Sequence, residues 1–93
     1  MALTVRWTRV ALADLENAFE FISADQPTAA AATIATVHSC LEQIKAFPEA
    51  GRPGRVRGTR ELLANSTPYI IIYRIKDDCL DVLAVLHSSR KWP

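Results

Sequence analysis

The stretch YIIIYRIKDDCLDVLAVLH, residues 69–87, predicts a β-hairpin within a larger sheet. Tyr69–Ile75 is apolar on both faces until Arg74, which is typical of a strand in the middle of a sheet. Lys76–Asp78 has the polar composition of a hairpin turn. In the strand that follows, alternation predicts one apolar face, made by Leu80, Val82, Ala84 and Leu86.

Two amphipathic helices are predicted on the N-terminal side of this hairpin. Thr8 is suited to cap the first helix, since its hydroxyl can accept a hydrogen bond from a free backbone N–H. Asp25–Pro27 ends that helix, and Pro27 also suits the first turn of the second helix. Pro48 and Gly51 end the second. The predicted apolar stripes are Leu12, Leu15, Phe19 and Ile22 on the first helix, with Asp14 outside the stripe, and Ala30, Ile34, Val37, Leu41, Ile44 and Phe47 on the second.

Two further strands complete the predicted fold, at Leu3–Trp7 and Arg60–Ala64. The order strand–helix–helix–strand–strand–strand predicts an α+β fold, with a helical hairpin packed on one side of a mainly antiparallel sheet. The length of 93 residues suits one domain, residues 1–93, because two independent cores would not fit.

Composition excludes several classes of protein. Hydrophobic residues make up 49% of the chain, and no apolar run reaches the roughly 18 residues that a membrane span needs. The segment Met1–Arg6 lacks the apolar region of a secretory signal, so we expect a cytoplasmic protein without a membrane partner. Cys40 and Cys79 are far apart and outside any CxxC motif, which predicts buried free thiols and neither a zinc site nor another cofactor.

Charge is distributed unevenly along the chain. Residues 1–49 contain three basic and six acidic residues, and residues 50–93 contain eight basic and four acidic ones. Four of the basic residues, Arg52, Arg55, Arg57 and Arg60, crowd into one short segment. This arginine segment predicts a surface for an acidic partner, although a solvated loop is an alternative interpretation.

Few residue combinations suggest catalysis. The sequence contains neither a Gly-x-Ser-x-Gly motif nor a phosphate-binding Gly-Lys-[Ser/Thr] motif. Asp77, Asp78 and Asp81 offer oxygen ligands for a divalent cation, but an acidic hairpin turn is the commoner explanation. His87 with Arg90 nearby has one ingredient of acid–base cleavage of RNA. Tyr69 and Tyr73 are either base-stacking surfaces or core residues.

Several segments, taken together, resemble the RelE/ParE superfamily of toxins from bacterial type II toxin–antitoxin systems. The resemblance runs along essentially the whole chain and is closest to the ParE branch. It rests on Pro48–Gly54 (PEAGRPG), Gly58–Leu62 (GTREL), Thr67–Ile75 (TPYIIIYRI) and Val85–Pro93 (VLHSSRKWP), together with Ala13–Leu15 (ADL) in the first helix.

The resemblance implies a toxin that a co-expressed ParD-like antitoxin neutralises. When free, such a toxin poisons DNA gyrase and blocks replication. The resemblance also implies a role in plasmid stabilization. It implies no catalytic reaction and no direct sequence-specific binding of nucleic acid. We expect the arginine segment to bind an acidic part of the antitoxin. We expect the gyrase-binding residues in the C-terminal segment, at His87, Arg90, Lys91 and Trp92; packing of Trp92 back onto the helices as a core residue is the alternative.

The RelE branch supplies an alternative, a ribosome-dependent mRNA endoribonuclease. That branch has a basic residue at the start of the central strand and an arginine near the end of the last strand. Here Tyr69–Ile71 and Leu86 stand at the comparable places, so the cations are missing. A binding protein without toxicity is a third hypothesis.

Overall fold

One five-stranded sheet forms the centre of the computed structural model, which describes residues 3–93. The strands are β1 (Thr4–Trp7), β2 (Arg52–Pro53), β3 (Arg60–Leu63), β4 (Tyr69–Lys76) and β5 (Cys79–His87), and the helices are α1 (Arg9–Ser23) and α2 (Pro27–Ala46). The strand order is β1-β5-β4-β3-β2, with β1 parallel to β5 and the other pairs antiparallel.

The predicted α+β fold is confirmed, and the predicted element order is confirmed except for one extra strand. The extra strand, β2, lies inside the arginine segment, where no strand was predicted. It pairs only with Arg60 and Glu61 of β3. Because Pro53 cannot donate a hydrogen bond to a ladder, such a strand fits only at the edge of a sheet. The predicted domain is described except for residues 1 and 2, which lie outside the described residues.

The predicted caps and turns are found at the expected residues. Thr8 precedes α1, and its hydroxyl accepts a hydrogen bond from the Ala11 N–H (3.1 Å). Pro27 is the first residue of α2. Asp77 and Asp78 have φ angles of 50° and 61°, the left-handed conformation that a two-residue hairpin turn requires.

A β-bulge in β5 changes which residues of that strand reach the core. Ile72 pairs with Ala84 and Tyr73 pairs with Val82, so Leu83 is an extra residue on β5. The bulge reverses the alternation beyond this point. The predicted face was therefore wrong in its second half: the β5 members of the core cluster are Leu80, Val82 and Val85, and neither Ala84 nor Leu86 belongs to it.

Along the second half of β5, α1 lies on the side of the strand where β1 pairs with the first half. β1 ends at Trp7, opposite Val82, so no strand pairs with that side of β5 beyond this residue. The Thr8 hydroxyl lies 3.0 Å from the Val82 carbonyl oxygen and donates to it. Asp14 Oδ2 accepts a hydrogen bond from the Val85 N–H (3.0 Å). Although Asp14 lies outside the predicted apolar stripe, its carboxylate is directed at the sheet, where it satisfies a backbone donor that β1 leaves unpaired.

Small residues bring α1 close to β5. Ala11 and Ala18 are buried on the contact face, whereas Leu12 and Phe19 of the predicted stripe are 46% and 42% exposed. The prediction that Leu12 and Phe19 pack in the core was therefore wrong. The helix turns the face with alanines inward because a small Cβ allows a closer approach to the sheet.

α2 follows its predicted stripe until its end. Val37, Leu41 and Ile44 are buried, together with the free thiol Cys40, whereas the predicted continuation at Phe47 is 68% exposed because the helix ends at Ala46. The second free thiol, Cys79, is only half-buried, contrary to expectation. Within residues 3–93, neither helix is long and apolar enough to cross a membrane.

Two arginines and one aspartate cross-link three adjacent strands. Asp81 on β5 is buried, and its carboxylate accepts hydrogen bonds from Arg6 on β1 (2.7 and 3.1 Å) and from Arg74 on β4 (3.1 Å). The hydrogen bonds from Arg6, and then those from Arg74, lower the pKa of Asp81 although burial alone would raise it. These contacts commit the Asp81 carboxylate to arginines rather than to a cation site with Asp77 and Asp78.

Replacing Asp81 should therefore weaken the fold in a pH-dependent way. We expect Asp81→Asn to lower the free energy of unfolding by about 1–2 kcal/mol at pH 7. Because the pKa of Asp81 is lower in the folded than in the unfolded chain, its stabilisation is present at neutral pH and is lost as the pH falls below about 4. Urea titrations at several pH values measure this difference. Asp78→Asn, in the exposed turn, is the matched control; equal stability of both variants would contradict the prediction.

Candidate functional site

Tyr73 fixes the turn that follows α2. Its side chain is fully buried, and its hydroxyl donates to the Pro48 carbonyl (2.8 Å) and accepts from the Gly51 N–H (2.9 Å). A Cβ at Gly51 would lie 2.8 Å from both the Glu61 carbonyl oxygen and the Tyr73 ring, so a larger residue does not fit. Burial raises the pKa of Tyr73. The interpretation of Tyr73 as a core residue is confirmed, and Tyr69, with 7% exposure, does not offer a free face for stacking either.

Two of the predicted antitoxin-binding arginines already have partners within the chain. Arg60 Nη1 donates to the Gly51 carbonyl (2.8 Å), and Nη2 lies 3.6 Å from the carboxylate of Glu49. Arg52 is more exposed and pairs with Glu61 across β2 and β3 (3.1 Å). Arg60 therefore supports the turn that Tyr73 holds, and Arg52 offers only part of its charge to a partner.

The other two arginines lie at the tip of a closed loop. The Gly54 N–H donates to the Thr59 carbonyl (2.7 Å), and the Thr59 N–H donates to the Val56 carbonyl (3.1 Å). Arg55 and Arg57 are exposed on this loop, and neither forms an ion pair with any residue of 3–93. Val56 between them is 39% exposed. The four arginines thus divide into two that pair with a carboxylate of the chain and two, Arg55 and Arg57, that have no such partner among residues 3–93 and can meet an acidic partner.

His87 ends β5 in a fixed orientation. Its ring packs edge-on against Tyr69, with ring centroids 5.7 Å apart and an interplanar angle of 81°. Its Nδ1 accepts a hydrogen bond from the Ser89 N–H (3.2 Å) and lies 2.8 Å from the Ser89 hydroxyl. Since Nδ1 is an acceptor, the neutral ring carries its proton on Nε2.

The C-terminal segment borders a cleft between α1 and the end of β5. The cleft encloses about 560 Å³. Of the predicted target-binding residues, His87 and Arg90 line the cleft, Lys91 is exposed nearby in sequence, and Trp92 is half-buried. The remaining lining residues are Asp14, Asn17, Ala18 and Phe21 of α1, Tyr69 of β4, and Val85, Leu86 and Ser89.

The residues of α1 that line the cleft were not among the site residues predicted from the sequence. Asp14, Asn17 and Phe21 follow one another at steps of three and four, which places them on one face of a helix. Phe21 is 76% exposed. The available signal was a phenylalanine outside the predicted apolar stripe. The role of Phe21 in the cleft depends on the bulged end of β5, which lies beside it only in the tertiary structure.

The cleft has few of the groups that RNA cleavage needs. Arg90 is the one cationic side chain among its lining residues. The His87 Nδ1 is already hydrogen-bonded to Ser89, which leaves Nε2 for proton transfer. No group of three or more metal-ligating side chains occurs in the described part of the chain.

Comparisons with known proteins identify relatives over nearly the whole chain. The family model for the ParE toxin of the type II toxin–antitoxin system parDE matches residues 5–92. Y4kP of Sinorhizobium fredii, provisionally assigned as a toxin, is 40% identical over 96% of this chain and 92% of its own length. Toxin RelE2 of Caulobacter vibrioides is 30% identical over 92% of this chain and 96% of its own length.

Two solved structures are similar to this one. The chromosomal ParDE toxin–antitoxin system of P. aeruginosa contains a chain with a TM-score of 0.82 and 25% identity, covering 92% of this chain and 96% of that one. The toxin–antitoxin complex RelBE2 of Mycobacterium tuberculosis contains a chain with a TM-score of 0.64 and 28% identity, covering 94% of this chain and 99% of that one.

The division of the arginines predicts different effects on stability. Arg60→Met should lower the free energy of unfolding by about 1 kcal/mol, because it removes the hydrogen bond to the Gly51 carbonyl. Arg55→Met is the matched control and should change it by less than about 0.5 kcal/mol, because Arg55 is exposed without an ion pair among residues 3–93. Urea denaturation measures both. If both variants lose the same free energy of unfolding, the hydrogen bond from Arg60 to the Gly51 carbonyl has no specific effect on stability, and the prediction is contradicted.

Proposed function

Because the chain belongs to the ParE toxin family of type II toxin–antitoxin systems, we propose that it inhibits DNA gyrase in the cytoplasm when free and that a ParD-like antitoxin neutralises it. The observation that carries the proposal is the match of the ParE family model to residues 5–92. The proposed action is binding, not catalysis. The toxin would hold gyrase in an inhibited complex on DNA and stop replication.

The C-terminal cleft is the proposed contact with gyrase. His87 and Arg90 lie together at the end of β5, and the hydrogen bond from Ser89 holds the His87 ring in place. A fixed surface with an aromatic floor and a cation at its rim is suited to protein recognition. Lys91 and Trp92 extend the same segment toward the C-terminus, although neither lines the cleft.

The exposed part of the arginine segment is the proposed contact with the antitoxin. The similar structures are described as a ParDE system and as a RelBE2 toxin–antitoxin complex, which supports an antitoxin partner for this chain. Arg55 and Arg57 lie on a closed loop and have no carboxylate partner among residues 3–93. An acidic antitoxin segment would supply the missing carboxylates. Arg52 and Arg60 would contribute less, since Glu61 and Glu49 already pair with them.

An mRNA endoribonuclease is the second candidate, favoured by the similarity to Toxin RelE2. Such a reaction needs a base, an acid and cations against the developing phosphorane. Among residues 3–93, the lining of the cleft offers His87 and Arg90 but no second cation, and losing one stabilising group typically slows a reaction about 100- to 1,000-fold. Gyrase inhibition therefore remains the better-supported proposal.

The deciding experiment compares the two targets directly. We expect the purified chain, freed of antitoxin, to inhibit supercoiling by bacterial DNA gyrase and to leave mRNA intact in a translating extract. His87→Ala should retain gyrase inhibition within a few-fold, because His87 contributes packing and not proton transfer, whereas a ribonuclease should lose about 100-fold or more. Ribosome-dependent mRNA cleavage that disappears in His87→Ala, without effect on gyrase, would overturn the proposal. A chain inactive on both targets would favour the binding protein without toxicity.

The antitoxin contact is tested by charge reversal. Arg55→Glu with Arg57→Glu should weaken the complex with the co-purified antitoxin, since each substitution replaces attraction by repulsion. The dependence of affinity on salt should become shallower. Titration calorimetry at two salt concentrations measures both effects. Arg9→Glu with Lys76→Glu makes the same change of charge on other exposed residues and should have little effect. An affinity equally sensitive to both pairs would contradict a specific role for the loop.

A further inference from the structure

Phe21 is the most exposed large hydrophobic side chain among the described residues, with 76% of its surface accessible. A single exposed apolar residue is ordinary on a protein surface. Phe21, however, lines the same cleft as Tyr69, His87 and Arg90. Aromatic residues and arginines that surround a recess are the side chains that most often dominate the binding energy of an interface.

No strand among residues 3–93 pairs with the backbone edge of β5 that borders this cleft. The Val85 N–H points away from β4, since it donates to Asp14 on α1. Because the two backbone groups of one residue point to the same side of a strand, and alternate residues share that side, the Val85 C=O and the His87 N–H also face the cleft. β1 ends opposite Val82, so no strand covers this edge. An extended segment of another chain can pair with such an edge.

The floor of the cleft is held in place before any partner arrives. Tyr69 is buried and packs edge-on against His87, and the Ser89 N–H donates a hydrogen bond to the His87 Nδ1. Asp14 is anchored by its hydrogen bond to Val85. A preformed surface loses little conformational entropy on binding, which favours affinity.

The charge at the rim indicates the chemistry of the occupant. Arg90 and Lys91 are exposed and form no ion pair with any residue of 3–93. The single carboxylate of the cleft, Asp14, is engaged with the Val85 N–H. A carboxylate on the occupant would therefore find unpaired cations at Arg90 and Lys91.

We propose that this cleft binds an extended acidic segment of the target protein, which pairs with the β5 edge at Val85 and His87, packs an apolar side chain on Phe21 and places a carboxylate at Arg90. The inference rests on the proposed inhibition of gyrase and adds the chemistry of the contacted segment. It also adds α1 to the target-binding surface. Phe21 is the anchor, and Asn17 lies beside it on the same helical face.

Two phenylalanines allow a matched test of the anchor. Phe21→Ala should raise the toxin concentration that half-inhibits gyrase by about tenfold or more. Phe47→Ala removes an equally large side chain that is 68% exposed at the end of α2, away from the cleft, and should leave that concentration unchanged. Since both side chains are exposed, both variants should melt like the wild-type chain. If the two variants inhibit gyrase equally, the role of Phe21 as the anchor is overturned, while the proposal that the chain inhibits gyrase still stands.

A pair of substitutions at Asn17 tests the sign of the charge. Asn17→Glu places a carboxylate in the cleft and should weaken inhibition more than Asn17→Lys, which is of similar size and helix propensity. The opposite order would show that the occupant is basic. Hydrogen exchange tests the strand pairing: the His87 amide should exchange more slowly in the complex of the chain with gyrase. An unchanged rate would overturn pairing with the β5 edge.

A growth-arrest assay distinguishes failure of the cleft proposal from failure of the gyrase proposal. If the wild-type chain arrests growth without inhibiting gyrase, the gyrase proposal fails. The cleft proposal then stands for another target if Phe21→Ala abolishes arrest and Phe47→Ala does not. It is overturned if both variants still arrest growth. A wild-type chain that neither inhibits gyrase nor arrests growth overturns both proposals.

Discussion

The extra residue in β5 is the constraint on which the arrangement of the other elements depends. The bulge at Leu83 places Val85, rather than Ala84 or Leu86, in the main core cluster, while Ala84 is buried outside that cluster. It comes directly after Val82, where β1 ends, so α1 must finish that edge of the sheet. Thr8 and Asp14 do this with side-chain hydrogen bonds, and the alanines of α1 allow the necessary approach. The cleft exists because a helix, and not a strand, follows this part of β5.

Basic residues have two different roles in this small chain. Arg6 and Arg74 bind the buried Asp81 and cross-link three strands, and Arg60 binds the Gly51 carbonyl beside Tyr73. These side chains are committed to the fold, in which a lost partner would leave a buried polar group unsatisfied. Arg55, Arg57, Arg90 and Lys91 have no ion pair among residues 3–93 and are available to partners. Residue type alone does not separate the two groups; geometry does.

Two separate surfaces of the chain carry Arg55, Arg57, Arg90 and Lys91, which have no ion pair among residues 3–93. The closed loop at Arg55 and the cleft at Arg90 belong to different parts of the sheet, one beyond β2 and the other at the end of β5. An antitoxin and a target can in principle be recognised by separate surfaces on one scaffold. Under the proposals made above, specificity then resides in the loop and in the cleft, while the strands and helices hold both surfaces rigid.

The sequence by itself determined the α+β class, the element order except for β2, the Thr8 cap, the start of α2 at Pro27 and the Asp77–Asp78 turn. These features depend on local periodicity and on the backbone preferences of single residues, which a sequence displays directly. Only the tertiary structure decided the core face of β5 beyond Leu83, the inward position of Asp14 and the position of Phe21 on the cleft. Each depends on which element lies beside β5, and neither periodicity nor residue type specifies a neighbour that is distant in sequence.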